Sequence, residues 1–79
     1  MKRKYYEYIG KKIRNARKLR NMTQQDVADR LGITRSLYSQ YERGACSITL
    51  KTWIELAEIL DLNMDIVMEA LEYERSNFS

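Results

Sequence analysis

Three segments of this 79-residue chain share one pattern, and that pattern limits the secondary structure the chain can adopt. Each segment has an apolar residue, then a residue whose side chain can cap a helix, then an apolar or aromatic residue four positions after the cap. The three are Ile33–Thr34–Tyr38, Ile48–Thr49–Trp53 and Leu62–Asn63–Val67. A capping oxygen accepts a hydrogen bond from a free backbone N–H of the first turn, and the apolar pair packs over that turn. The pattern therefore predicts that a helix begins at each cap.

Two more helices are predicted before these three. Apolar residues spaced i, i+4, i+7 from Ile9 predict a helix over residues 5–20, which Asn21 can end in the left-handed conformation. Thr23 and Asp26 have the spacing of a capping box at the next helix start, and Gly32 ends that helix. The expected helices span 5–20, 23–31, 34–42, 49–60 and 63–75. The predicted fold class is therefore all-α, a compact five-helix domain.

A single domain of this length has to bury enough apolar surface to offset the entropy lost when the chain becomes ordered. The inward faces of the five predicted helices supply the candidates. The expected core side chains are Ile9, Ile13, Ala16, Met22, Val27, Leu31, Ile33, Tyr38, Tyr41, Leu50, Trp53, Ile54, Ala57, Leu60, Leu62, Val67 and Leu71.

The residue types that are scarce exclude several kinds of site. The chain has one Cys, Cys46, and no His, which excludes an intrachain disulfide, most zinc sites and His-dependent catalysis. No pairing of nucleophile with base and no glycine-rich phosphate loop is visible. We therefore expect a protein that is not an enzyme and that takes no metal, cofactor or small-molecule substrate. Because no apolar run has membrane length and no signal peptide is visible, we expect a cytoplasmic location.

The charges are distributed unevenly along the chain. Residues 1–22 carry nine basic residues and one acid, a net +8, whereas residues 53–79 carry one basic residue and seven acids, a net −6. The middle segment, residues 23–52, is close to neutral at +1. A small domain with this charge asymmetry presents its basic end to a polyanion. The alternative is chance clustering on a solvated surface.

Residues 24–44 are the most informative segment: a short helix, a tight turn at Gly32 and a second short helix. Ala28 is small where the two helices approach each other, and Tyr38 and Tyr41 face inward at i, i+3. This is the arrangement of a helix-turn-helix motif, in which the second helix enters the major groove of DNA.

The same segment resembles the Cro/repressor (XRE-type) helix-turn-helix family. Gln24, Ala28, Gly32, the Arg35–Ser36 pair and the closing Glu42–Arg43–Gly44 stand where that family places such residues. The resemblance extends over residues 8–71 through Ile9–Arg14, Arg17, Trp53–Ala57 and Asn63–Asp65. It implies a lambda-repressor-like DNA-binding fold with its helix-turn-helix at 23–43. It also implies a partly buried ion pair between Arg17 and Glu42 that holds the recognition helix to the first helix.

The open face of the recognition helix carries the candidates for reading bases: Arg35, Ser36, Ser39 and Gln40. Arginine can form two hydrogen bonds with guanine O6 and N7, glutamine can pair with adenine N6 and N7, and serine lets the helix approach closely. The alternative is an ordinary solvated helix face.

Candidates for phosphate contacts flank this ridge. Gln24 opens the second helix, where free N–H groups and the helix dipole favour an anion, and Thr34 caps the third. Arg43 ends the third helix, and Lys51 lies in the first turn of the fourth. Residues 1–4 form a basic arm.

The helix over 63–75 has apolar residues on two faces, so we expect it to be the dimerisation helix. Met64, Val67, Met68 and Leu71 are expected to pack it on the body of the domain, which leaves Ile66, Ala70 and Tyr73 for a second copy. The alternative is that Ile66 packs within its own chain.

Together these features predict a single domain over residues 1–79 that regulates transcription. We expect it to bind a palindromic double-stranded operator as a homodimer, in the manner of a phage Cro-like repressor or a restriction–modification controller. It would then be associated with the nucleoid when bound to DNA. The alternative is an antitoxin that neutralises a toxin by protein–protein contact and regulates its own operon.

Overall fold

Five α-helices make up most of the chain that the computed structural model describes, which is residues 4–63 and 65–76. They are α1 (Lys4–Leu19), α2 (Gln24–Leu31), α3 (Arg35–Arg43), α4 (Leu50–Leu60) and α5 (Asp65–Ser76). Each begins and ends within two residues of its expected bounds, and the described ranges contain no strand. The all-α fold class is therefore confirmed.

The predicted caps account for where the helices begin. At Thr23 both halves of the capping box form: Asp26 N donates to Thr23 Oγ1 at 3.0 Å, and Thr23 N donates to Asp26 Oδ2 at 2.8 Å. The hydrogen bond from the Thr23 backbone to the carboxylate, and next the Thr23 side chain, lower the pKa of Asp26. The three repeated caps accept backbone hydrogen bonds in the same way, in the pairs Thr34–Leu37 (3.1 Å), Thr49–Thr52 (3.2 Å) and Asn63–Asp65 (2.9 Å).

Residues with positive φ follow three of the helices, two of them at the expected positions. Asn21 follows α1 with φ 56°, and Gly32 caps α2 with φ 70°. Asp61 also adopts φ 54° after α4, which the sequence did not predict. There, Arg20 Nε donates to the Leu60 carbonyl at 3.0 Å and Arg20 Nη2 lies 3.4 Å from Asp61 Oδ2. These contacts join the ends of α1 and α4.

The core lies where α1 packs against α3 and α5 while α2 closes against α3 and α4. Its fully buried side chains include Ile13, Val27 and Tyr38, as expected, and also Leu56, which was missing from the expected core. The expected core positions Leu50, Ile54 and Leu71 are instead exposed. In α4 the buried face is the one with Trp53, Leu56 and Leu60, which turns Leu50 and Ile54 outward. In α5 the buried face is the one with Ile66 and Ala70, which turns Leu71 outward.

The expected division of α5 into two faces is wrong for most of its residues, although Val67 packs against the core as expected. Ile66 and Ala70 are buried within their own chain, and the Tyr73 ring lies 5.2 Å from the Tyr8 ring of α1. The small Ala70 permits this close contact with α1. Ile66, Ala70 and Tyr73 therefore pack α5 onto the body, and two residues assigned to the body, Met68 and Leu71, are exposed.

Some expected features fall outside the described residues. Lys4 begins α1, whereas residues 1–3 of the basic arm, and Met64, are not described. Within the described part of the chain, no helix is long and apolar enough to cross a membrane.

Candidate nucleic-acid interface

The α3 helix has two sharply different faces. Tyr38, Tyr41 and Glu42 are buried against the body. On the other side Arg35 and Ser36 are exposed, and Ser39 and Gln40 are half-buried. The spacing i, i+1, i+4, i+5 brings these four side chains together in one narrow polar ridge, as expected. Such a ridge can enter a major groove, which admits one α-helix.

The turn between α2 and α3 fixes the direction of this ridge. Ala28 is fully buried, and its carbonyl accepts a hydrogen bond from Ile33 N at 3.1 Å across the turn. Gly32 supplies the left-handed backbone that the reversal needs. The two helices of the motif therefore form one rigid unit on the surface of the domain.

A buried ion pair anchors the inner face of α3 to α1. Arg17 Nε donates to Glu42 Oε2 at 2.6 Å, and Arg17 Nη2 donates to Glu42 Oε1 at 3.2 Å, so the pair is bidentate. The side chains of Arg17 and Glu42 are only 11% and 3% exposed. Arg17 Nη1 also donates to the Met22 carbonyl at 2.8 Å, just before α2. The expected pair is thus present, and one guanidinium connects α1, α3 and the start of α2.

Gln24 adds a contact that sequence reasoning missed. Its Nε2 donates to Glu42 Oε1 at 3.0 Å, which ties the first turn of α2 to the last turn of α3. This engages one of the two amide hydrogens of a side chain expected at a phosphate, and the second hydrogen stays available for that role. A buried carboxylate needs more than one hydrogen-bond donor, and this need would have indicated a second partner for Glu42.

The electrostatics of this cluster follow from burial and close contact. Burial acts to raise the pKa of the Glu42 carboxyl, but hydrogen bonds from its neighbours, Arg17 first, and the guanidinium charge together hold that pKa below 4.5. Among the described residues the Tyr38 hydroxyl, buried beside the pair, has no hydrogen bond of good geometry. Burial of this hydroxyl raises the pKa of Tyr38 above its usual range, and the nearby Glu42 carboxylate raises it further.

The lowered pKa of Glu42 predicts how stability depends on pH. A group whose pKa is lower in the folded state stabilises the fold above its unfolded pKa, and this contribution is lost as the pH falls through the folded pKa. The free energy of unfolding of the wild type should therefore fall towards that of Glu42→Gln as the pH drops from 6 to below 4.5. Urea denaturation across this range measures both. If the difference between the two free energies of unfolding stayed constant with pH, the lowered pKa of Glu42 would be contradicted. Asp26 also has a lowered pKa, but it contributes equally to both proteins and cancels in the difference.

Two of the other expected phosphate contacts, Thr34 and Arg43, lie at the two ends of α3. Thr34 Oγ1 accepts the capping bond from Leu37 N, which leaves its hydroxyl hydrogen free to donate. Arg43, at the end of α3, and Lys51, in the first turn of α4, are both exposed. The structure therefore leaves these three side chains accessible to solvent, and their contact with phosphate stays a prediction.

Comparison with known proteins identifies a family and several similar regulators. The family model described as helix-turn-helix matches residues 13–67. The uncharacterized HTH-type transcriptional regulator YqaE of Bacillus subtilis is 37% identical over 67 residues, which cover 85% of this chain and 58% of YqaE. The transcriptional repressor RstR of the cryptic phage CTXphi, from Vibrio cholerae, is 33% identical over 57 residues, which cover 72% of this chain and 51% of RstR. The chain thus spans about half the length of these curated relatives.

Solved structures share the architecture. The clp gene regulator ClgR from Corynebacterium glutamicum superposes with a TM-score of 0.78 at 19% identity, covering 94% of this chain and 96% of the ClgR chain. A point mutant of the restriction–modification controller protein C.Esp1396I superposes with a TM-score of 0.73 at 23% identity, covering 100% of both chains. At these identities the likeness shows the fold.

Proposed function

Because the chain belongs to the helix-turn-helix family, we propose that it is a sequence-specific double-stranded DNA-binding transcriptional regulator. Residues 1–79 act in this proposal as one DNA-binding domain with its helix-turn-helix at 23–43. The relatives named as HTH-type regulators and as a phage repressor support this reading, as do the regulators that share the fold. The family match and these names point to regulators and not to enzymes.

The observation that carries the proposal is the polar ridge of α3 together with its anchor. Arg35, Ser36, Ser39 and Gln40 present hydrogen-bonding groups to solvent, while the buried Arg17–Glu42 pair fixes the opposite face of the helix. A solvated surface helix needs no such anchor. A helix that must present several side chains to base edges at once does need one, because small misplacements break bidentate contacts.

The proposed unit on DNA is a homodimer on a palindromic operator. Two copies related by a two-fold axis would set their α3 helices about 34 Å apart, one turn of DNA. Phosphate contacts would then fix the register of each copy on its half-site, and the residues proposed for them are Gln24, Thr34, Arg43 and Lys51.

Replacing Arg35 by alanine tests the proposal directly. We expect the wild type, selecting from a random DNA pool at fixed salt, to enrich a palindromic sequence. We expect Arg35→Ala to lose the preference at one guanine of each half-site, at a cost in discrimination of about 1–3 kcal/mol per half-site. Sequencing of the selected pools, with titration of the matched and substituted operators, measures the change.

The matched control is Arg43→Ala, which removes the same side chain from the end of the same helix. Because Arg43 is proposed at a phosphate, its loss should weaken all sequences about equally and reduce the dependence of binding on salt. If Arg35→Ala behaved like Arg43→Ala, Arg35 would be a phosphate contact. If the wild type enriched no sequence, the proposed function would be wrong.

A further inference from the structure

An apolar side chain, that of Leu37, borders the polar ridge of α3. Leu37 is the third residue of the helix; it is half-buried and packs against the core. At about 100° per residue, it lies about 60° around the helix from Gln40 of the ridge and about 40° from the buried Tyr41. One side of this leucine is therefore held by packing, and the other side is exposed at the edge of the ridge.

The backbone of Leu37 is fixed as well. Leu37 N donates to Thr34 Oγ1 at 3.1 Å, so the cap closes the first turn of α3 around it. In a helix-turn-helix protein the first residues of the recognition helix are those that reach the base edges. Leu37 would therefore enter the major groove together with Arg35 and Ser36, in a position that is set before DNA binds.

The groups that bases present in the major groove decide what a leucine can contact there. All four bases present hydrogen-bond donors or acceptors, and only thymine adds a methyl group, at C5. A leucine placed against the N4 amino group of cytosine would leave that donor without a partner. Arg35 and Gln40 suit purines, through guanine and adenine respectively, so Leu37 would supply the reading of a pyrimidine.

We propose that Leu37 contacts the C5-methyl group of one thymine in each half-site and thereby selects thymine over cytosine. This inference rests on the proposed function and adds a residue that determines its sequence specificity. Side chains three residues apart on a helix are about 5–6 Å apart, and successive base pairs are about 3.4 Å apart. The thymine should therefore lie about one or two base pairs from the base that Gln40 contacts.

The alternative is that Leu37 only packs α3 onto the body of the domain. Leu62 is the matched control for that role, because it is also a half-buried leucine that packs against the core. It precedes α5 and lies outside the helix-turn-helix. Truncating either leucine to alanine should lower the free energy of unfolding, but only the change at Leu37 should alter the response to a methyl group on the DNA.

The test removes the methyl group from the DNA and the leucine from the protein, singly and together. The probe is the operator that the wild type enriches, with each thymidine of one half-site replaced in turn by deoxyuridine, which pairs in the same way but lacks the C5-methyl group. By fluorescence anisotropy at fixed salt, we expect one replacement to weaken wild-type binding about three- to fivefold, the effect of one buried methyl group. Leu37→Ala should bind the thymine and uracil operators equally, and Leu62→Ala should respond like the wild type.

A second probe adds the methyl group instead of removing it. At the same position a C·G pair should weaken binding, and 5-methylcytosine should recover part of the loss with the wild type but not with Leu37→Ala. Leu37→Gln keeps most of the packed stem and ends in an amide, so it should show no preference for the methyl group even if Leu37→Ala unfolds. Thermal melts followed by circular dichroism establish which variants fold.

Two results would overturn the inference and leave the proposed function standing. One is an enriched operator in which no deoxyuridine replacement weakens wild-type binding. The other is a folded Leu37→Ala or Leu37→Gln that responds to deoxyuridine as strongly as the wild type. If the wild type enriched no operator at all, the proposed function would fall and this inference would fall with it.

Discussion

Glu42→Ala is expected to lower the free energy of unfolding by about 3–5 kcal/mol, because it leaves the Arg17 guanidinium buried without its counterion. Gln24 loses its acceptor in the same step. A chain of this length has a total stability of roughly 4–12 kcal/mol at about 0.05–0.15 kcal/mol per residue, so the loss is about a quarter of the total or more. Urea denaturation followed by circular dichroism measures the loss.

Two controls separate the buried charge from the lost packing. Glu42→Gln keeps the volume and one acceptor oxygen, so its loss should be smaller than that of Glu42→Ala. The double variant Arg17→Met, Glu42→Met removes both charges, and we expect it to be more stable than the sum of the two single losses predicts. A loss below about 1 kcal/mol for Glu42→Ala would show that water reaches Arg17 and that the pair does not anchor α3.

The helix starts could be predicted from the sequence because capping is local. Thr23, Thr34, Thr49 and Asn63 each accept a hydrogen bond from a backbone N–H no more than three residues away. Such contacts depend little on the rest of the fold. For the same reason the left-handed ends were predictable where the side chain signals them, as at Asn21 and Gly32, and not at Asp61, which Arg20 of α1 contacts.

The faces of α5 could not be predicted in this way. Its apolar residues occur on both sides, so periodicity supports either assignment. The choice depends on which side fits α1, where Tyr8 contacts Tyr73 and the small Ala70 allows close packing. Ala70 was the available signal, since a small residue between larger ones indicates a close helix approach.

The candidate site shows the same division between local and long-range information. The polar ridge of α3 followed from spacing within one helix. The Arg17–Glu42 contact spans 25 residues and was expected only from the family resemblance. The Gln24–Glu42 contact spans 18 residues and was missed, because spacing within one helix carries no information about a partner on another.

Gly44→Ala is the second large effect that we expect, with a loss of about 3 kcal/mol or more. Gly44 caps α3 with φ 67°, where a Cβ is strained, and a Cβ built there would lie 2.7 Å from the Cα of Glu7 in α1. The clash would push the end of α3 away from α1, and the strain would weaken the cap of α3. Thermal and urea denaturation of the purified variant measure the loss.

Alanine substitutions at Gly32 and Gly10 serve as controls, because each has only one of the two causes, backbone strain or steric clash. Gly32 has nearly the same φ, 70°, but no atom within 4 Å of the Cβ position, so Gly32→Ala should show the strain alone, about 1–2 kcal/mol. Gly10 lies within α1 without positive φ, and a Cβ there would be 2.5 Å from the Glu42 carbonyl oxygen, so Gly10→Ala should show the steric clash alone. If Gly44→Ala lowers the free energy of unfolding no more than Gly32→Ala does, then α1 moves aside easily. In that case the close packing of α1 does not hold the end of α3. If its cost approaches the sum of the other two, the recognition helix is held by backbone contact with α1 as well as by the Arg17–Glu42 pair.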